Sequence, residues 1–227
     1  TAQKRIVEKL DTAFTDIDKA ISATEKNLEN ISCLLESFSN KYMFDNRKNF
    51  KTALIGDLFD LSTGGTPSKK KSEYFSDGEI PWLVSGDIHQ QEIIDCAGRI
   101  TEEGYKNSSA KFLPINSVLI ALNGQGKTRG TVAMLKIKAT CNQSLVSIYP
   151  KNSKTILPEY LYFNLKNRYS EIRKITGDSG NDRRGLNMPL IRKISFSYPE
   201  NIEEQSKYIK KSKNLISHIN LLNEKYE

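Results

Sequence analysis

The chain has 227 residues, 37% of them hydrophobic and 9% aromatic, and a formal net charge of +7. This composition predicts a folded domain, because disordered chains contain fewer apolar and aromatic residues. A membrane span is not expected, because no apolar run reaches a length of about 18 residues. A signal peptide is not expected either, because the first residues lack its apolar stretch.

Residues 1–44 carry a heptad pattern that is sustained over five heptads. One row contains Val7, Phe14, Ile21, Leu28, Leu35 and Tyr42, and the other contains Leu10, Ile17, Thr24, Ile31 and Phe38. The pattern predicts a long spacer helix. Such a narrow apolar stripe needs a partner helix to be stable.

Residues 45–200 predict a mixed α/β domain. Apolar runs at Ile80–Ile88, Ser117–Gly124, Gly130–Ile137 and Gln143–Pro150 indicate strands, because Gly, Asn and Pro bound them. Residues 158–175 are expected to form one helix that begins at Pro158, and residues 188–199 a further strand. Residues 51–200 hold 21 Lys or Arg against 15 Asp or Glu, an excess that suits a polyanion but does not prove one.

The segment Ser62–Lys71 is a candidate binding loop. Two glycines and a proline favour a turn, followed by three consecutive lysines, Lys69, Lys70 and Lys71. The hydroxyls of Thr63 and Thr66 add hydrogen-bonding groups. A solvated surface loop without function is the alternative interpretation.

Residues 121–130 resemble part of a phosphate-binding loop through Gly126, Lys127 and Thr128. That motif requires glycine where this chain has Ala121, and a helix rather than a strand after it. We therefore expect a tight β-turn whose side chains project outward to contact phosphates and base edges. These side chains are Asn123, Gln125, Lys127 and Arg129.

A polar loop at 177–187 offers Asn181, Arg183 and Arg184, whose paired guanidinium groups could bind guanine or phosphate, or could simply be solvated. Residues 201–227 then predict a second, shorter helix, with rows at Tyr208, Leu215 and Leu222 and at Ser212, Ile219 and Tyr226. The expected helix interface contains Leu10, Phe14, Ile17, Ile21, Leu28, Ile31, Leu35, Phe38, Leu215, Ile219 and Leu222. Two unrelated amphipathic helices are the alternative.

Candidates for catalysis are missing from the sequence. Cys33, Cys96 and Cys141 are far apart, which is typical of reduced thiols in a cytoplasmic protein. His89 and His218 have no neighbour at metal-ligand spacing, so no zinc site is expected. No nucleophile elbow or glycine-rich cofactor loop is present. We therefore expect no catalytic activity, metal or cofactor.

An ordered set of motifs resembles the specificity subunits of type I restriction–modification enzymes. The set comprises Gln3–Val7, Ser62–Pro67, Ile80–Leu83, Ser85–Ile88, Val118–Leu122, Cys141–Gln143, Gly185–Asn187 and Pro199 with Glu204–Gln205. It extends over essentially the whole chain. The chain departs from the family after residue 122, where Asn123–Gly126 stands in place of a sequence closer to tyrosine-glycine.

The resemblance implies an α+β fold in three parts: a spacer helix at 1–44, a target-recognition domain at 45–200 and the start of a second spacer helix at 201–227. It implies binding of double-stranded DNA, with methyltransferase and restriction subunits as partners. S-adenosylmethionine, Mg²⁺ and ATP would then be used by those partners. The unequal lengths of the two helix seams leave part of the longer stripe exposed, which predicts either a homodimer through the helices or docking of methyltransferase subunits there. The rival hypotheses are a coiled-coil scaffold without DNA specificity and a nucleotidase.

The resemblance also extends the set of candidate DNA contacts to Ser85, Asn142 and Gln143. The complete set is Thr63, Gly64, Gly65, Thr66, Lys69, Lys70, Lys71, Ser85, Asn123, Gln125, Lys127, Arg129, Asn142, Gln143, Asn181, Arg183 and Arg184.

Overall fold

A computed structural model describes residues 2–46, 49–124, 126–176 and 185–223. The helices are α1 (Ala2–Asn46), α2 (Ile55–Leu58), α3 (Glu102–Lys106), α4 (Pro158–Lys166), α5 (Tyr169–Lys174), α6 (Met188–Arg192) and α7 (Ile202–Asn223). The strands are β1 (Phe50–Leu54), β2 (Phe59–Thr63), β3 (Ile80–Leu83), β4 (Glu92–Ile93), β5 (Arg99–Ile100), β6 (Val118–Ala121), β7 (Val132–Leu135), β8 (Thr140–Cys141), β9 (Leu145–Pro150) and β10 (Ser195–Pro199).

The strands form three sheets. A five-stranded sheet in the order β2-β9-β6-β7-β4 is antiparallel except at β4–β7. A three-stranded sheet has the order β5-β3-β8, and its β3–β8 pair is parallel. The strands β1 and β10 pair antiparallel, Phe50 opposite Pro199, and so bring the two ends of the α+β region together.

Strands β6 and β7 of the five-stranded sheet are buried on both faces. Val118 and Ile120 of β6 belong to the larger core, on the side of α4, whereas Leu119 and Ala121 belong to a second core that contains Leu83. This alternation follows from the two-residue period of a strand. It explains why the strand sequence is continuously apolar.

The two long helices meet at the domain end of α1. The rings of Phe38 and Tyr208 stack with centroids 5.9 Å apart, and the Tyr42 hydroxyl donates to the Glu204 carbonyl over 3.3 Å. Because later residues of α1 contact earlier residues of α7, the helices run in opposite directions. The partner helix that the stripe requires is therefore present at this end, and it runs antiparallel to α1.

Buried Gln205 fixes the start of α7. Its amide Nε2 donates to the carbonyls of Thr155 and Pro199 over 2.7 and 2.9 Å, and its Oε1 accepts from the Leu157 amide over 2.8 Å. One side chain thus satisfies three backbone groups, as buried polar groups require. This contact accounts for the glutamine at the second helix entry.

The far half of α1 extends beyond these contacts. Leu10, Phe14, Ile17 and Ile21 are 49, 61, 52 and 53% exposed. Leu215 is half-buried, whereas the side chains of Leu28, Ile31, Leu35, Ile219 and Leu222 lie outside the described part of the structure. The apolar stripe predicted from the heptads is therefore uncovered between residues 10 and 21.

Three predicted elements differ from the structure. The expected strand over Ile80–Ile88 ends at Leu83, and residues Ser85–Gln90 form a 3-10 helix instead. The expected helix over 158–175 is broken at Asn167 and Arg168, where the Asn167 side chain donates to the Tyr208 hydroxyl over 2.9 Å. The expected strand over 188–199 begins with a helix, α6, because the Asn187 side chain caps it by accepting from the Leu190 amide over 2.9 Å. Only Ser195–Pro199 is a strand.

Candidate nucleic-acid interface

Gly64 and Gly65 are buried where the chain leaves β2. A Cβ atom on Gly64 would lie 1.7 Å from the Cys141 carbonyl oxygen, and one on Gly65 would lie 2.0 Å from the Ser109 Oγ. Only glycine permits such close approach. The structure thus gives both residues a packing role, although the sequence placed them among the candidate DNA contacts.

Three distant motifs are joined around these glycines. The Trp82 indole donates to the Gly65 carbonyl over 2.9 Å, and the Asn142 amide donates to the Leu83 carbonyl over 2.9 Å. The Thr66 hydroxyl donates to the Gln143 Oε1 over 2.6 Å. We call residues 63–67, 82–85 and 141–143 the glycine-loop cluster.

The glycine-loop cluster has further internal support. The Thr63 hydroxyl donates to the Leu145 carbonyl over 2.9 Å, and the Asn142 Oδ1 accepts from the Ser144 amide over 2.9 Å. Ser85 begins a 3-10 helix, Ser85–Gln90, and is half-buried. The sequence therefore predicted residues that lie together, but several of their polar groups already have partners within the chain.

The lysines that follow the cluster are exposed. Lys71 donates to the Tyr74 hydroxyl over 3.0 Å, and these contacts raise the pKa of the lysine above its ordinary value. Lys69 and Lys70 carry no side-chain hydrogen bond or ion pair among the described residues. They are available to neutralise phosphates.

The second candidate region is the loop over 123–130, which we call the reading loop. Gly124, Gly126 and Gly130 have φ values of +138°, +59° and +83°, a region that glycine favours. Asn123 and Lys127 are exposed, and Gln125 lies outside the described residues.

The side chain of Arg129 was expected to project outward from this loop, and the structure shows otherwise. The residue is 7% exposed and does not project outward, because the chain turns back into β7 at Gly130. A strand follows the Gly126–Thr128 sequence, so the helix of a phosphate-binding loop is missing at this place. The expectation that this segment is a turn before a strand is confirmed.

Three residues that the sequence did not single out hold the reading loop. Arg173 donates to the Gly126 carbonyl and to the Tyr169 hydroxyl, both over 2.7 Å, and Tyr169 donates to the Lys127 carbonyl over 2.8 Å. His89 Nε2 and Thr128 Oγ1 are joined by a 3.0 Å hydrogen bond. No spacing rule in the sequence links α5 or His89 with this loop.

Of the predicted arginine loop at 177–187, the structure describes only residues 185–187. Asn181, Arg183 and Arg184 lie outside the described residues. The flanking Gly185 lies beside Asn123, whose Oδ1 would be 1.8 Å from a Cβ on that glycine. The Leu186 amide donates to the Leu122 carbonyl over 2.9 Å. Gly185 and Leu186 therefore lie next to the reading loop.

The described ionisable groups include one that is strongly perturbed beside this loop. Lys166 donates to the Gln91 Oε1 over 2.8 Å and to the Tyr162 hydroxyl over 3.1 Å. Burial lowers the pKa of its ammonium group to about 8. A charged amine is costly in this place.

Two kinds of reactive site are not found in the described part of the chain, a cluster of metal ligands and a thiolate at Cys141. There, no three His, Cys, Asp or Glu side chains come together as they would around a metal ion. Burial raises the pKa of the Cys141 thiol to about 12, so a thiolate does not form there. In the same described residues, no helix has the length and apolarity of a bilayer span.

The polar loops stand on an α+β domain that is attached to a long helix. Residues 47–227 match the sequence model described as type I restriction modification DNA specificity domain. The chain belongs to this family, which confirms the resemblance found in its sequence.

Individual relatives agree with this assignment. The chain is 27% identical over 207 residues to the specificity subunit of a type I restriction enzyme of Escherichia coli, covering 90% of this chain and 48% of that protein. It is 29% identical over 163 residues to the MjaIX specificity subunit of Methanocaldococcus jannaschii, covering 70% of this chain and 36% of that protein. The chain thus spans half or less of the length of these relatives.

Solved structures share the fold. The HsdS subunit from Thermoanaerobacter tengcongensis matches with a TM-score of 0.63 at 14% identity, covering 99% of this chain and 53% of that chain. A type I restriction–modification S subunit from M. genitalium matches with a TM-score of 0.58 at 16% identity, covering 93% and 52%. The predicted α+β class is confirmed.

Proposed function

We propose that the chain recognises a sequence in double-stranded DNA and directs methyltransferase and restriction subunits to it. One observation carries the proposal. Three motifs of the family, far apart in sequence, are joined by hydrogen bonds into the glycine-loop cluster, directly beside exposed Lys69 and Lys70. A rigid polar surface next to free cations suits a polyanion whose bases must be read in register.

The candidate contacts divide into two kinds. Lys69, Lys70 and Lys127 are exposed cations that would bind phosphates, which sets affinity and position. Asn123, Asn142 and Gln143 carry amides that could read base edges, together with Arg183 and Arg184 from the sequence. The recognition domain in this proposal occupies 45–200, between spacer helices at 1–44 and 201–227.

The proposed role is non-catalytic. S-adenosylmethionine, Mg²⁺ and ATP would be used by the methyltransferase and restriction subunits. The rival nucleotidase hypothesis has lost its main support, since β7 occupies the place of the required helix.

The helices provide the protein interface in this proposal. The uncovered stripe that contains Phe14 and Ile17 would bind a methyltransferase subunit or the same stripe of a second copy. A two-fold dimer would carry two recognition domains, and each domain would bind one half-site of the DNA.

The experiment is a selection from random duplexes by the chain together with its methyltransferase subunit. A single enriched motif supports the proposal. Recovery of unenriched sequences, or affinity that does not fall as salt rises, would favour the rival scaffold hypothesis. An ATPase assay of the purified chain, with Lys127→Ala as control, tests the nucleotidase hypothesis.

A further inference from the structure

The reading loop is held mainly by hydrogen bonds. Three glycines with positive φ make its backbone permissive. A cavity of about 310 Å³, lined by Ile88, Lys127, Thr131, Lys166 and Tyr169 among others, adjoins the loop. Close packing therefore does not fix the loop on this side, and the contacts from Tyr169 and Arg173 carry more of its positioning.

The short helix that supplies these contacts is in turn attached to the long one. The Glu36 Oε1 of α1 accepts from the Ser170 amide over 2.9 Å, at the first turn of α5. A six-residue helix is not stable alone, so its orientation comes from its neighbours. Arg168 provides a second anchor, through bonds of 2.7 and 2.6 Å to Glu171 and of 2.8 Å to the Ser195 carbonyl.

We propose that Glu36, Tyr169 and Arg173 are positioning residues that connect the spacer helix to the DNA-reading loop. The path runs from the Glu36 carboxylate to the Ser170 amide, then through α5 to two consecutive loop carbonyls, those of Gly126 and Lys127. None of the three residues needs to touch DNA. The inference rests on the proposed function, because it assigns the loop to DNA reading.

The first test measures the loop without DNA. Amide hydrogen exchange of peptides that cover 122–132 is compared between the full-length wild type and Arg173→Ala. Loss of a charged donor is expected to speed exchange there about tenfold. Lys174→Ala removes a neighbouring exposed charge and leaves exchange unchanged, whereas Arg173→Lys restores it to within about threefold because the ammonium can still donate.

Glu36 has its own matched pair of variants. Glu36→Ala removes the acceptor for the Ser170 amide and should speed exchange in the loop by about threefold. Glu36→Gln keeps an acceptor oxygen and should exchange like the wild type. If neither Glu36→Ala nor Arg173→Ala changes exchange in the loop, the positioning role is overturned.

The second test measures DNA affinity in the complex with the methyltransferase subunit. The probes are the duplex selected from the random library and an unrelated duplex of equal length. Arg173→Ala should lower the affinity for the selected duplex about tenfold and the affinity for the unrelated duplex less than about twofold. The dependence of affinity on salt concentration should not change. Equal weakening of both duplexes would make Arg173 a phosphate contact and overturn the inference.

Failure of the proposed function gives a different result. If the loop loosens in Arg173→Ala but neither this variant nor Asn123→Ala affects selected-duplex binding, the loop does not read DNA. The inference is then overturned through its premise, although α5 still holds the loop. A wild-type complex without any sequence preference would overturn the proposed function itself.

Discussion

Gly64 has no space for a side chain, because a Cβ would lie 1.7 Å from the Cys141 carbonyl oxygen. That oxygen is part of the backbone and cannot move without disturbing β8. Gly64→Ala should therefore lower the free energy of unfolding by about 2–3 kcal/mol, as overpacking does. Denaturant unfolding measures the difference.

Gly86 is the matched control for this substitution, since a Cβ there meets nothing within 4 Å and its φ is not positive. Gly86→Ala should stay within about 0.5 kcal/mol of the wild type. Equal effects of the two substitutions would contradict the packing role of Gly64.

Lys166 makes stability depend on pH. Its pKa is about 8 in the folded protein against an ordinary 10.5, so the unfolded chain binds more protons between these values. The free energy of unfolding should therefore rise with pH across this window. Below pH 8 the lysine is charged in both states, and the cost of burying the charge is constant.

The measurement compares wild type with Lys166→Met from pH 7 to 10.5. The stability of the wild type relative to the variant should rise by about 3 kcal/mol over this range. Lys111→Met, at an exposed position, should give a flat difference. A difference that falls with pH would contradict the burial of a charged amine.

The exposed lysines Lys69 and Lys70 should affect DNA binding differently from Arg183 and Arg184. Lys69→Ala and Lys70→Ala should weaken all duplexes alike and reduce the salt slope by about 1 each. Arg183→Ala or Arg184→Ala should weaken the binding free energy for the selected duplex alone by about 1–3 kcal/mol if the side chain reads guanine. Titrations at several salt concentrations distinguish the two; unchanged affinity would place that loop away from DNA.

At the scale of elements, the uncovered stripe of α1 predicts association. Phe14→Asp places a charge in the stripe and should abolish self-association or binding of the methyltransferase subunit, because a buried unpaired carboxylate is costly. Sedimentation equilibrium of the chain, alone and with that subunit, measures the effect.

Thr12→Asp is the control, since Thr12 is exposed and lies outside both heptad rows. It adds the same charge to the same helix and should leave association unchanged. If the wild type is strictly monomeric and does not bind the methyltransferase subunit, the stripe is not an interface.

Local patterns predicted most elements well. The continuous apolar runs gave β6, β7 and β9, because strands buried on both faces lack polar alternation. The break between α4 and α5 could not be predicted, since it depends on Asn167 meeting Tyr208, which is 41 positions away. The helix α6 could have been predicted from Asn187 as a cap with Pro189 after it.

At the scale of the whole molecule, the sequence predicted the loops of the candidate site. It did not predict the residues that hold these loops in position. Within the glycine-loop cluster, Thr63–Thr66 were indicated by the glycine-rich turn, whereas Ser85, Asn142 and Gln143 were indicated by the family resemblance. Tyr169, Arg173 and His89 were not, because their roles arise from tertiary contacts with carbonyls of the reading loop. Arg129 was misplaced for the same reason: burial depends on how the chain turns at Gly130.

In the proposed function, this fold reads DNA sequence. The most direct test is the affinity of the chain, bound to its methyltransferase subunit, for the selected duplex and for a duplex with the selected motif scrambled, at one salt concentration. We predict that the selected duplex binds at least about 10³-fold more tightly. Equal affinity for the two duplexes would show that this fold does not read the DNA sequence.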